Sequence, residues 1–66
     1  MCRNIKQLRR PDRRPTDEEL HDAALQFVRK LTGYRAPSRA NQEAFDSAVV
    51  AVATVTRDLF ERLVIR

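Results

Sequence analysis

Two side chains in this 66-residue chain have the chemistry of a strong nucleophile or a soft-metal ligand: Cys2, its single cysteine, and His21, its single histidine. A thiol and an imidazole make a nucleophilic dyad when the imidazole takes the thiol proton. Here the pattern offers no group to orient His21 and no oxyanion donors, and Glu18 and Asp22 read as solvated helix surface. The same pair could ligate a metal. A structural zinc site takes four ligands, usually with pairs such as C-x-x-C or H-x-x-x-H, so Cys2 and His21 would need carboxylates or a second chain to complete the set. If Met1 is removed, Cys2 presents an α-amine and a thiol on one residue. These titrate near about pH 8 and about pH 8.5, and Arg3 and Lys6 favour the thiolate. Gly33 is the only glycine, which excludes a glycine-rich phosphate loop. No cofactor is expected.

The second group with chemical potential is cationic. Residues 1–14 carry Arg3, Lys6, Arg9, Arg10, Arg13 and Arg14 against Asp12, a net of +5. The remainder carries seven Lys/Arg and eight Asp/Glu, a net of −1, so the overall +4 belongs to the N-terminus. Such an arm can bind nucleic acid by neutralising phosphates, without reading sequence and with a steep dependence on salt. A helix-turn-helix reading would place Arg39, Asn41 and Gln42 near the start of a recognition helix, although the second helix is long and apolar for that role. Tyr34, Lys30, Arg35 and Arg39 cluster near the start of the same helix, where backbone N–H groups and arginines suit an anion. The plainer reading of Tyr34 is a side chain packed on its own helix.

The elements that must position these residues follow from periodicity and capping. Thr16 and Glu19 form a capping box, with Asp17, Glu18 and Glu19 at the positive end of the helix dipole. Leu20, Ala24, Phe27 and Leu31 then recur at helical spacing, with Ala23 and Val28 at the edges of the stripe. Arg29 and Lys30 suit the last turn, Gly33 is placed for a left-handed C-cap, and Tyr34 is placed to fold back on Val28. This predicts a helix over 17–32. Pro37 separates it from a second helix over 39–64, for which Ser38 is the expected N-cap and Asn41 a later alternative. Phe45, Ala48, Val49, Val52, Val55, Thr56, Leu59 and Leu63 share one face of that helix. Its Val and Thr residues lower helix propensity, but the alanines among them and the lack of a pairing strand argue against a strand.

Together these predict an all-α protein: an arm over 1–15 and an antiparallel helical hairpin over 16–66. Helices of roughly 24 Å and roughly 38 Å leave the end of the second overhanging the start of the first. Ile5 and Leu8 are expected to cover part of that overhang, and a second copy the rest, as a homodimer closing into a four-helix bundle. A chain this short has a marginal core. One cysteine forms no internal disulfide and fits a reducing compartment. No signal-peptide pattern or bilayer-length apolar run occurs, so a soluble cytoplasmic protein is expected, with no membrane partner.

The segments MCRNIK, PTDEEL, AALQFVRKLTGY and PSRANQEAF, in this order, resemble the short bacterial proteins of domain-of-unknown-function family 2277. The resemblance covers nearly the whole chain. It implies a shared fold and transfers no activity. The sequence therefore reads as a small non-enzymatic binding or interaction protein whose basic arm could contact nucleic acid, and the alternative is a thiol- or metal-dependent function centred on Cys2.

Overall fold

The computed structural model describes residues 7–64. Among them lie a helix α1 (Asp17–Thr32), a 3-10 turn (Arg39–Asn41) and a helix α2 (Gln42–Arg62), with no strand. The fold is an all-α helical hairpin, as the periodicity predicts.

Local sequence accounts for both ends of α1. The Thr16 hydroxyl accepts from the Glu19 backbone N–H at 3.1 Å, and the Thr16 N–H donates to Glu19 Oε1 at 2.9 Å, completing the capping box. At the other end Gly33 takes φ 76, and its N–H donates to the Arg29 carbonyl at 2.8 Å. An L side chain is disfavoured in that left-handed conformation, so glycine ends the helix cleanly. The Thr32 hydroxyl donates to the Val28 carbonyl at 2.8 Å and accepts from the Tyr34 N–H at 3.1 Å.

The start of α2 is less regular. Ser38 is extended and makes no side-chain cap bond, and the chain passes through the 3-10 turn before α2 begins after Asn41. Asn41 does not cap either: its Nδ2 donates to Ser38 Oγ at 3.2 Å and to the Tyr34 hydroxyl at 3.5 Å. The two candidate capping side chains are thus spent on each other. Farther along, Thr54 donates to the Val50 carbonyl, and Thr56 to those of Val52 and Ala53. The hydroxyls are thus satisfied on their own helix.

The core is small. Leu20, Ala24 and Val28 on α1 and Phe45 and Val49 on α2 are buried. Leu25, Ala48, Val52 and Ala53 pack around Ala24, Val28, Phe45 and Val49. The expected stripe on α1 is therefore rotated. Leu20, Ala24 and Val28 form an i, i+4 row facing α2, whereas Phe27 is 40% exposed and Leu31 70%. A helix with a single neighbour buries only a narrow strip, and Leu31 stands opposite the loop, where α2 has barely begun. Tyr34 is 43% exposed, its hydroxyl within reach of Asn41.

Candidate functional site

Three places on the hairpin bring together residues that could bind something. The first is the open end, where the arm, the start of α1 and the end of α2 meet. Arg13 reaches Glu19 through two hydrogen bonds of 3.1 and 3.3 Å. Arg14 donates from Nε to the Phe60 carbonyl at 2.7 Å and from Nη2 to the Glu61 carbonyl at 3.3 Å. These are the carbonyls that the end of α2 leaves without helical partners. Arg57 of α2 pairs with Asp17 of α1 at 3.0 Å. The Arg13 guanidinium, with help from the Thr16 backbone N–H, holds the Glu19 carboxyl down at about 2. The same hydrogen bond raises the pKa of Arg13.

These contacts redistribute the predicted phosphate-binding set. Arg13 and Arg14 are tied into the fold, so contact with a phosphate would compete with bonds already made. Arg9 and Arg10 remain exposed. The predicted site residues Cys2, Arg3 and Lys6 lie outside the described residues, as does Ile5. Leu8 is half-buried and lines a hollow with Glu19, Asp22, Ala23 and Gln26 on the outer face of α1. At Leu8 the arm therefore runs beside α1. The overhang itself is about one turn: α2 has 21 residues, near 32 Å, and Arg57 already lies level with Asp17.

The second place is a groove of about 470 Å³ between the helices at the loop end. His21, Leu25 and Arg29 line it from successive turns of α1, Phe45 and Val49 from α2, and Arg35 and Pro37 from the loop. His21 Nδ1 is 3.9 Å from Asp22 Oδ1. The groove and the hollow around Leu8 are on different sides of α1, so His21 does not face the described part of the arm. Arg39 lines a separate depression with Glu43 and Asp46. Arg35 and Arg39 are thus split between two surfaces.

The third place is an apolar face. Asp46 and Val50 of α2 share the groove with His21 and Leu25, which identifies one side of the hairpin. Helical spacing puts Phe27 and Leu31 on the opposite flank of α1, and Val55 and Leu59 on the opposite flank of α2. All four are exposed, Val55 at 67% and Leu59 at 49%. No residue pattern flags this face as distinct from the core, since both belong to the same apolar periodicity.

The model of the family described as "Uncharacterized conserved protein (DUF2277)" matches residues 1–66. The chain belongs to this family. No curated protein and no solved structure matches it.

Within this DUF2277 member, no group of three or more His, Cys, Asp or Glu side chains among the described residues could hold a metal ion. No helix among them is long and apolar enough to cross a membrane. The arrangement offers surfaces for binding: an apolar face, an amphipathic groove and exposed arginines.

Proposed function

We propose that this DUF2277 member is a small cytoplasmic interaction module, and that its first partner is a second copy of itself. The observation that carries the reading is the exposed face of Phe27, Leu31, Val55 and Leu59 beside a core of only five buried side chains among the described residues, one of them alanine. A two-helix hairpin with so few buried residues has little to set against the conformational entropy of ordering it. A second hairpin laid on the apolar face would complete a four-helix bundle, the arrangement by which short amphipathic hairpins reach a full core. On α2 the strip Ala44, Ala48, Ala51, Val55 and Leu59 runs at three- and four-residue steps without a charge, which suits helix-on-helix packing. The single cysteine fits the reducing interior of a cell.

Sedimentation equilibrium at micromolar concentration tests the reading. The expected mass is twice the 7.7 kDa of the chain, and Val55→Glu with Leu59→Glu should shift it toward the monomer. A wild-type protein that is well folded and monomeric would overturn it.

A further inference from the structure

The groove at the loop end is on the side of the hairpin away from the apolar face, and among the described residues its charge differs from that of two other depressions. The hollow beside Arg10 is lined by Glu19 and Asp22, and the depression beside Arg39 by Glu43 and Asp46. In each, carboxylates outnumber the arginine. The loop-end groove reverses that balance, with Arg29 and Arg35 against Asp46. The Asp46 carboxylate already accepts from the Gln42 side-chain amide, at 3.0 Å to each oxygen.

One of the two arginines is held in place by the fold, and the other stands exposed beside it. Arg29 Nε donates to the Arg35 carbonyl at 2.9 Å, which anchors its guanidinium to the loop. Neither the terminal nitrogens of Arg29 nor the Arg35 guanidinium has a hydrogen-bond or ion-pair partner among the described residues. By contrast Arg13, Arg14, Arg57 and Arg62 each have one. Below these guanidiniums the floor is apolar: Phe45 and Val49 are buried and Leu25 is half-buried. Its volume, about 470 Å³, falls in the range of small-molecule sites, which combine a mostly apolar lining with a few polar anchors.

We propose that this groove binds a small amphipathic carboxylate. The head group pairs with Arg29 and Arg35, whose planar donors match a carboxylate's two oxygens. The aliphatic body lies along Leu25, Phe45 and Val49. The net positive lining selects against a cation of the same shape, and the apolar floor against a short anion. Because the groove and the apolar face lie on opposite sides, binding does not require the dimer and does not compete with it.

The test is a titration of the full-length, isotope-labelled protein with octanoate, followed by amide and methyl chemical shifts, with octylammonium and acetate as controls. Octanoate is expected to give saturable shifts at Leu25, Arg29, Phe45 and Val49. Octylammonium and acetate should bind about tenfold more weakly or worse, the scale of one charge-assisted hydrogen bond. Arg35→Gln should weaken octanoate by a similar factor. That variant leaves the Arg35 carbonyl, and so the bond from Arg29, in place, and circular dichroism should confirm unchanged helicity. Non-saturable shifts, equal response to octylammonium, or shifts centred on Phe27 and Leu31 would overturn the proposal. Sedimentation of the same samples reports the oligomeric state separately, so loss of the dimer and loss of octanoate binding are distinguishable.

Discussion

The two ends of the hairpin are held by different forces. At the loop end Ala24, Val28, Phe45 and Val49 pack into one apolar cluster, and the connection from Gly33 to Asn41 is short. At the open end the bonds are ionic or charge-assisted: Arg13 to Glu19, Arg14 to the carbonyls of Phe60 and Glu61, and Arg57 to Asp17. Closing a short loop costs little entropy, so apolar contacts next to it form readily. The open end lacks that tether, and its helix termini expose N–H and C=O groups that only polar partners can satisfy. One end is therefore expected to resist salt and acid, and the other to respond to both.

The largest effect should come from the loop end. Phe45→Ala removes the one aromatic ring in the core, a change that costs about 3–5 kcal/mol in a packed interior. For a protein this small that loss should abolish the cooperative urea transition seen by circular dichroism. Retention of a sharp transition would show that the loop-end cluster does not hold the hairpin together.

A smaller effect should follow from Arg14→Ala at the open end. The guanidinium caps the last turn of α2 from an exposed position, where such bonds are worth roughly 1 kcal/mol or less. Amide exchange is expected to speed up at Leu59–Leu63 and to stay unchanged at Ala24–Val28. High salt should reproduce part of this in the wild type. Uniform acceleration along both helices would erase the distinction between the ends.

The smallest effect should be the response to acid. The Glu19 carboxyl is held at about 2 by its hydrogen bond to Arg13 and the Thr16 N–H, against roughly 4.3 for a glutamate in an unfolded chain. A depressed carboxylate stabilises the folded state above its unfolded pKa, and that contribution fades as pH falls through the folded value. The first turn of α1 should therefore loosen between about pH 4 and about pH 2, and Glu19→Gln should flatten the response. A Glu19 titration by NMR with its midpoint near the unfolded value would show that the Arg13 pair does not persist in solution.

Part of the candidate surface is legible in the sequence. The apolar stripe of α2 is wider than one neighbour covers, so part of it must stay exposed, and Val55 and Leu59 do, although periodicity alone does not separate them from the core. The groove was not legible, because His21, Arg29, Arg35 and Phe45 converge only when the helices pack and the loop folds under them. The arginines of the arm show the same limit from the other side. Charge counting treats Arg9, Arg10, Arg13 and Arg14 alike, yet the fold spends Arg14 on carbonyls 46 and 47 residues away.

The sequence by itself determined what depends on neighbours within about one helical turn: that α1 starts after Thr16 with its capping box, that it stops at Gly33, and that a second helix follows Pro37. Only the tertiary structure decided which strip of α1 is buried, that α2 begins after Asn41 behind a 3-10 turn, that Leu8 lies beside α1, and that Arg14 donates to the last-turn carbonyls of α2. The reason is range. Capping and left-handed glycine conformations are set by a few adjacent residues. A helical stripe wider than one neighbour can cover leaves its rotation open until the partner helix docks, and the partner of a charged side chain is fixed only by that docking.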